Sequence, residues 1–298
     1  MKIGVVGLGK MGANIALNLL DQGVEVVGYD IDNNSRMLAS KQGISVVSSI
    51  QSLVSELPKR KVIWLMVPNG NPTENAIDSL KDLLTNEDII IDAGNSNYND
   101  SIRRANNLKQ KGIILLDAGT SGGVSGARHG ACLMIGGEQE AYDYLENVFK
   151  SIAKKDGCLY TGHSGSGHFL KMVHNGIEYG MMEAIAEGFH VLKESNFDYD
   201  LEKVANNWNH GSVVRSWLME LAEKQFHEHP NLDDIKGVVD ASGEAKWTVQ
   251  TALEMEVPVP VIALSLMARN ESKIEDNFAY KMLSALRNGF GGHDYIKK

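Results

Sequence analysis

Short apolar runs alternate with helical stretches through the first half of the chain, and this alternation is the strongest constraint on its fold. The apolar runs occupy residues 3–6, 24–29, 62–67, 89–91 and 113–116, a short stretch near Val46, and residues 132–135 and 158–160. Helical apolar spacing occurs at residues 11–20, 73–84, 101–111 and 138–151. Repeated strand–helix units of this length predict a mainly parallel, doubly wound sheet with helices on both faces.

The pattern changes after about Gly162. Residues 167–195 contain no proline and no turn cluster, and the remaining chain predicts helices separated near residues 229–231, 238–243 and 257–260. The full length of 298 residues is about twice that of a usual single domain. We therefore predict an α/β domain over residues 1–162 followed by an all-α domain over residues 163–298.

A GxGxxG motif formed by Gly7, Gly9 and Gly12 directly follows the first predicted strand and opens the first helix. This arrangement directs free backbone N–H groups and the positive end of a helix at a pyrophosphate, whereas a glycine turn without a ligand is the alternative. The context favours a dinucleotide-binding domain of the Rossmann type. Its candidate cofactor-binding residues are Gly7, Leu8, Gly9, Lys10, Met11, Gly12, Asp30 and, at the end of the strand over residues 62–67, Val67.

Asp30 ends the second predicted strand, where a carboxylate can accept hydrogen bonds from both hydroxyls of the adenosine ribose. The 2′-phosphate of NADP would bring about −1.5 to −2 charge against this carboxylate. The next residues, Ile31 and Asp32, offer no arginine to receive it, and we expect no arginine near Asp30. The sequence therefore predicts NAD as the cofactor, with Asp32 as the N-cap of the following helix.

The acidic composition excludes several partners. Against 29 basic residues stand 38 acidic ones, a formal charge of −9, which argues against nonspecific binding to nucleic acid or to an anionic membrane. The two cysteines, Cys132 and Cys158, are not in a CxxC spacing and could form one bridge at most. The sequence therefore indicates neither a cysteine-based zinc site nor a fold held together by disulfides. No signal peptide or membrane-spanning run is recognised, so we expect a cytoplasmic protein.

The predicted helix after residue 166 carries an unusual polar stripe. Lys171, His174, Asn175 and Glu178 stand at i, i+3, i+4 and i+7, with Tyr179 at the edge of the same face. Apolar neighbours predicted to be buried are Phe169, Met172, Val173, Ile177 and Met181. The stripe would then face a cavity inside the protein, although a solvated outer face is the commoner use of such a pattern.

Two further segments, DAGNSNY from Asp92 and DAGTSGGVSGA from Asp117, each follow an apolar strand. Doubly wound sheets bind ligands at the carboxyl ends of their strands. Ser121, Gly122 and Gly123 can present a hydroxyl and backbone N–H groups to a carboxylate, or they can simply form tight turns.

Several motifs together resemble decarboxylating 6-phosphogluconate dehydrogenases. They are GLGKMG, DAGNSNY, TSGGVSGARHG, GSGHFLKMVHNGIEYG, GEAKWT and the C-terminal RNGFGGH. The resemblance runs from Lys2 to about His293, and the short length is similar to the NAD-linked short form of this family. The wider β-hydroxyacid dehydrogenase superfamily shares the glycine motif, the SGG turn and the lysine, but not the HNGIEYG continuation.

The resemblance implies oxidation of 6-phosphogluconate at C3, loss of CO2 and formation of ribulose 5-phosphate, in the pentose phosphate pathway or in gluconate use. Lys171 resembles the general base and Glu178 the acid that protonates C1. No metal is implied, because the lysine ammonium can polarise the ketone.

The resemblance also assigns the residues that hold the substrate. The positions that correspond to ligands of the carboxylate and hydroxyls are Asn95, Ser121, Gly122, Gly123, His174 and Asn175. Asn95 also corresponds to a cofactor-binding residue near the nicotinamide. The positions that correspond to ligands of the 6-phosphate are Tyr179, Lys246, Thr248, Arg269, Arg287 and His293. In this family the tail arginine and histidine come from a neighbouring subunit, so a homodimer or a dimer-based tetramer is implied. A non-decarboxylating 3-hydroxyacid dehydrogenase and a catalytically idle NAD sensor are the alternatives.

Overall fold

The computed structural model describes residues 1–297. The chain separates into two compact units, Met1–His174 and Asn175–Lys298. The domain boundary after residue 162 stays a prediction.

The first unit contains one sheet of eight strands. They are β1 (Lys2–Val6), β2 (Glu25–Tyr29), β3 (Ser45–Val46), β4 (Val62–Leu65), β5 (Ile89–Asp92), β6 (Ile114–Ser121), β7 (Ala131–Gly136) and β8 (Ala153–Gly162). Their spatial order is β3-β2-β1-β4-β5-β6-β7-β8. All neighbouring pairs are parallel except β6 and β7. The mainly parallel sheet predicted from the sequence is confirmed.

Seven helices accompany these strands. They are α1 (Lys10–Asp21), α2 (Asn33–Lys41), α3 (Ile50–Ser55), α4 (Asn71–Lys81), α5 (Tyr98–Lys109), α6 (Gly123–His129) and α7 (Gln139–Ile152). Alternate residues of the central strands enter two separate apolar clusters: Val62 and Trp64 pack with α1 and α7, whereas Ile63 and Leu65 pack with α3, α4 and α5. Successive side chains of a strand point to opposite faces, so the sheet is covered on both sides.

Two short helices, α3 and α6, were not predicted. The α6 segment GVSGARH contains two glycines, which disfavour a helix, so its pattern resembled a turn. Strand β6 also extends to Ser121, which places the DAGTS segment inside the strand and not after it. Pairing with β7 from Asp117 to Ser121 accounts for the extension.

The chain from α8 onward is helical, as predicted. The helices are α8 (Ser166–Lys193), α9 (Leu201–Asn209), α10 (Trp217–Glu228), α11 (Gly243–Glu254), α12 (Pro260–Glu271) and α13 (Phe278–Gly291). The division between the units falls within α8, after His174. Within the second unit, one apolar cluster surrounds Phe189 and Phe226, and a smaller one surrounds Tyr179 and Leu266. Helix α13 buries none of its residues.

No helix within residues 1–297 is long and apolar enough to cross a membrane.

Candidate active site

The GxGxxG turn connects β1 to α1 and leaves the start of the helix open. Gly9 is the N-cap of α1 and forms no side-chain capping bond. A Cβ atom added at Gly9 would meet nothing within 4 Å. The first N–H groups of an α-helix have no partner within the helix, and they attract anions. This end of α1 therefore fits a dinucleotide pyrophosphate.

The other two glycines of the motif are required by packing. Gly7 has φ of +93°, and a Cβ atom there would overlap the carbonyl oxygen of Met66. A Cβ atom at Gly12 would overlap the carbonyl oxygen of Gly7. The motif therefore combines two glycines needed by the fold with one, Gly9, whose missing side chain leaves room for a ligand.

This difference predicts opposite effects for two alanine substitutions. Gly12→Ala should destabilise the protein by about 1–3 kcal/mol, because backbone must move to admit the methyl group. Gly9→Ala should leave the melting temperature unchanged but weaken NAD binding by about tenfold or more, because it fills the space above the helix end. Thermal denaturation and calorimetric titration with NAD measure the two effects. Equal losses of stability in both variants would contradict this division.

Asp30 joins the glycine turn to the start of α2. One of its carboxylate oxygens accepts a hydrogen bond from the N–H of Leu8 at 2.6 Å, and the other accepts from the N–H of Asp32 at 2.8 Å. Asp32 is the N-cap of α2 as predicted, since its carboxylate accepts from the N–H of Ser35 at 2.8 Å. That hydrogen bond, with a second from the Ser35 hydroxyl, lowers the pKa of Asp32 below its usual value.

The expectation that no arginine lies near Asp30 is wrong. Arg36, in the first turns of α2, donates to the carbonyl oxygen of Asp30 at 2.6 Å. The sequence interpretation considered only the two residues directly after Asp30, but a helix returns a side chain to the same side after one turn.

The ends of β4 and β5 bring Val67 and Asn95 to the edge of the sheet where the glycine turn lies. A Cβ atom at Gly94 would lie 2.7 Å from the carbonyl oxygen of Val67, and one at Gly7 would lie 3.0 Å from Cγ1 of Val67. The Asn69 side chain donates to the carbonyl oxygen of Asn95 at 3.2 Å. Close packing of backbone on backbone therefore holds Val67 and Asn95 beside the turn, and the Asn95 side chain is exposed.

Beneath Asn95 lies a buried ionic network that sequence reasoning missed. The Asp92 carboxylate accepts from the Ser96 hydroxyl at 2.8 Å and from Arg104 at 3.1 Å. Arg104 also donates to Ser96 at 2.9 Å and to Glu74 at 2.9 Å. All three of Asp92, Ser96 and Arg104 are buried, so the loop that carries Asn95 is fixed from below by charge-assisted bonds.

A second buried aspartate, Asp117, caps α8. Its carboxylate accepts from the N–H of Gly165 at 2.7 Å and from the N–H of His168 at 2.9 Å. A carboxylate at this end also complements the helix dipole. Asp117 stands opposite Asp92 in the β5–β6 register, and the Asp-Ala-Gly sequence that both begin was the signal that could have identified them.

Lys171 lies one turn into α8 and is buried, with 7% of its surface exposed. A Cβ atom at Gly119 of β6 would lie 2.5 Å from Cβ of Lys171, so the glycine permits the helix to approach the strand. His174, one turn further, has Nε2 3.2 Å from the hydroxyl oxygen of Ser121, at the end of β6. The structure thus brings Lys171, His174 and Ser121 together.

Along the polar stripe, Lys171 and Asn175 are buried, whereas His174 and Glu178 are half-buried. That the stripe faces a cavity stays a prediction. The prediction that Ile177 and Met181 are buried is wrong, because the side chains of both are exposed. Gly122 is the N-cap of α6, with φ of +111°, and Gly123 begins that helix.

Within the second unit, Tyr179, Thr248 and Arg269 gather near the small apolar cluster. The Tyr179 hydroxyl accepts from the N–H of Ser242 at 2.9 Å. The Arg269 guanidinium lies 3.5 Å from the centre of the Tyr179 ring, a cation–π contact, and donates to the carbonyl oxygen of Asp240 at 3.2 Å. Thr248 of α11 is buried against Gly176 of α8.

The other predicted phosphate ligands are placed differently. Lys246 is exposed on α11, Arg287 is exposed on α13, and His293 is exposed beyond the end of that helix. The chain turns after Gly292, and the side chain of Asn288 donates to the carbonyl oxygen of His293 at 2.9 Å. Among residues 1–297, no three His, Cys, Asp or Glu side chains form a group that could hold a metal ion.

Comparison with known proteins agrees with this geometry. The profile of the NAD binding domain of 6-phosphogluconate dehydrogenase matches residues 2–163, and that of the 6-phosphogluconate dehydrogenase C-terminal domain matches residues 167–280. These two matches, together with the Rossmann-type sheet and its glycine turn, define the chain as a nicotinamide-dependent dehydrogenase. The chain belongs to the 6-phosphogluconate dehydrogenase family, which confirms the family predicted from its motifs.

Individual relatives are similar over the whole chain. YqeC of Bacillus subtilis, provisionally named a 6-phosphogluconate dehydrogenase, is 52% identical over 298 residues, with full coverage of both chains. An NAD(+)-dependent, decarboxylating 6-phosphogluconate dehydrogenase of Haloferax volcanii is 45% identical, and the alignment covers 100% of this chain and 99% of that enzyme. The solved structure of Plasmodium falciparum 6-phosphogluconate dehydrogenase is 30% identical, with a TM-score of 0.86 over 100% of this chain and 66% of that one.

Proposed function

We propose that this protein catalyses the NAD-dependent oxidative decarboxylation of 6-phosphogluconate to ribulose 5-phosphate and CO2. The observation that carries the proposal is the buried Lys171, held against β6 beside the Ser121–His174 pair. The full-length similarity to the Haloferax volcanii enzyme supports both the substrate and the cofactor.

The cofactor is NAD, and the described residues fit it. The open end of α1 above Gly9 would hold the pyrophosphate, Asp30 the adenosine ribose, and Val67 and Asn95 the remainder of the dinucleotide. Leu8, Lys10 and Met11 complete the turn. Bound NAD would accept the hydride released from C3 of the sugar acid.

Lys171 in its neutral form would take the proton of the C3 hydroxyl while the hydride leaves C3, and the two losses together give a β-keto acid. The resulting ammonium would then polarise the C3 ketone as CO2 leaves, which is the task of a metal ion in other decarboxylases. Burial of the Lys171 side chain where α8 approaches Gly119 would restrict its movement through both steps.

Glu178 would protonate C1 of the enediol that remains after CO2 has left. It lies two turns beyond Lys171, about 10 Å along the helix axis at 1.5 Å per residue. Long side chains converging from these positions can reach different carbons of one substrate.

The rest of the substrate would be held by two groups of residues. Asn95, Ser121, Gly122, Gly123, His174 and Asn175 would bind the carboxylate and hydroxyls, and Tyr179, Lys246, Thr248 and Arg269 the 6-phosphate. The stacking of Arg269 on Tyr179 orients the guanidinium, and an oriented guanidinium suits bidentate binding of phosphate.

Arg287 and His293 would complete the phosphate site of a neighbouring subunit in a homodimer or a dimer-based tetramer. Exposed apolar side chains on α13 support this assembly: Phe278 is 77% exposed and Phe290 is 81% exposed, and Val261 and Leu264 are exposed on α12. Large exposed apolar patches usually mark interfaces. Further exposed apolar residues in the second unit are Met181, Met182, Val191, Trp217 and Leu221, whereas Leu192 and Trp208 pack around Phe189.

The proposal includes a cytoplasmic location. Cys132 and Cys158 are both unbridged, which suits a reducing compartment.

Incubation with NAD and 6-phosphogluconate tests the activity, with NADH absorbance and CO2 release followed together. We expect one CO2 per NADH, and a far lower kcat/KM for gluconate, which leaves the phosphate-binding cations without their partner. Oxidation of 3-hydroxyisobutyrate without CO2 release, or equal kcat/KM for gluconate and 6-phosphogluconate, would contradict the proposal.

A further inference from the structure

Arg36 lies beside the residue proposed to bind the cofactor ribose. Its Nη1 donates to the carbonyl oxygens of Asp30 at 2.6 Å and Ile31 at 3.2 Å, and its Nη2 donates to the side chain of Asn33 at 3.0 Å. The guanidinium is therefore folded back over the turn between β2 and α2. It is partly buried, whereas the neighbouring Ile31 is 88% exposed.

Asp30 stands between this guanidinium and the glycine turn. Its carbonyl oxygen accepts from Arg36, and its carboxylate accepts from the N–H groups of Leu8 and Asp32. Asp30 thus presents its negatively charged carboxylate to the proposed ribose site, while its backbone carbonyl binds the Arg36 guanidinium.

The local charge explains why this arginine does not by itself favour a 2′-phosphate. Two carboxylates, Asp30 and Asp32, accompany the single positive charge of Arg36. Asp32, like any exposed aspartate, is ionised at neutral pH, and the capping hydrogen bonds from Ser35 hold its pKa further below its usual value. A 2′-phosphate would add about −1.5 to −2 charge to a turn whose net charge is already negative.

We infer that Arg36 is a latent ligand for a 2′-phosphate and that the charge of the Asp30 carboxylate prevents it from binding one. A guanidinium has five N–H groups, and three suffice for the acceptors recorded within residues 1–297. Replacing Asp30 would restore a neutral turn with a preplaced arginine. No new arginine at Ile31 is needed. This inference rests on the proposed dinucleotide site.

Calorimetric titration of the full-length protein with 2′,5′-ADP and with 5′-ADP tests it, because the two probes differ only in the 2′-phosphate. Wild type should prefer 5′-ADP. Asp30→Asn, which keeps an oxygen acceptor for Leu8, should bind 2′,5′-ADP about tenfold or more tightly than wild type does, as expected for a charge-assisted bond. Asp30→Asn/Arg36→Ala should lose this gain. Asp30→Asn/Lys41→Ala, which removes an exposed cation from the far end of α2, should keep it.

The inference is overturned if Asp30→Asn/Arg36→Ala still binds 2′,5′-ADP more tightly than wild type does. It is also overturned if neither Asp30→Asn nor Asp30→Ser binds 2′,5′-ADP more tightly than wild type, although both variants bind 5′-ADP. If wild type binds neither 5′-ADP nor NAD, the proposed dinucleotide site fails and the inference fails with it. Binding of NAD by wild type together with no gain in either Asp30 variant rejects the inference and leaves the proposed function standing.

Discussion

Lys171→Met should lower the rate of NADH formation from 6-phosphogluconate by about 100-fold or more, the usual contribution of a positioned acid–base group. Methionine retains the length and much of the volume of the lysine side chain, so packing against Gly119 should survive. The rate is measured by NADH absorbance at saturating NAD, and thermal denaturation verifies the fold.

Two further variants test whether residue 171 must be able to lose a proton or need only carry a positive charge. Lys171→Arg keeps the positive charge but cannot lose its proton at neutral pH, so it should be nearly as inactive as Lys171→Met. Lys193→Met, at the exposed end of the same helix, should keep wild-type activity. Glu178→Gln should still oxidise the substrate but slow the later protonation step. Near-normal turnover by Lys171→Met or Lys171→Arg would show that another group is the base.

Mixing two inactive variants should restore activity if the phosphate site is shared between subunits. Lys171→Met lacks the base, and Arg287→Ala lacks the tail arginine of the proposed site. Random pairing makes half of all dimers mixed, and each mixed dimer has one intact site of two, so about a quarter of the wild-type sites should return. Activity at low 6-phosphogluconate is measured before and after subunit exchange, and light scattering gives the assembly size.

The control for this experiment is a mixture of Lys171→Met with Glu178→Gln. Both changes lie on the same helix, but a mixed dimer of these two variants has no site with both residues intact. That mixture should stay as slow as its components. A monomeric protein, or no recovery in the first mixture after verified exchange, would rule out a shared site.

Much of the fold could be predicted from local patterns. The apolar run at residues 89–91 predicts a buried strand because a parallel sheet covered on both faces needs apolar side chains on each, and β5 is buried throughout. The spacing of the glycine motif predicts the turn between β1 and α1. In the structure Gly7 and Gly12 have no room for a side chain, which explains why the turn needs glycine there. Helix α6 escaped prediction because its glycines have low helix propensity, and packing against α1 and β7 outweighs that preference.

The candidate site was predictable where its residues share one element. Lys171 and His174 stand on one face of α8 by helical spacing alone. Lys171 is buried and His174 is half-buried, which agrees with a stripe that faces inward. The assignment of individual roles to these residues stays a prediction that the variants above test.

The sequence by itself determined the fold class, the place of the glycine turn and the spacing of the polar stripe, because these follow from dihedral preferences and from periodicities of two and 3.6 residues. Only the tertiary structure decided that Arg36 lies against Asp30, that Arg104 neutralises the buried Asp92, that Asp117 caps α8, and that Arg269 stacks on Tyr179. The first of these depends on a side-chain direction within one turn of helix, and the others join residues far apart in the chain. Such contacts are fixed by how elements pack and by the cost of leaving a buried charge without a partner, which no local pattern records.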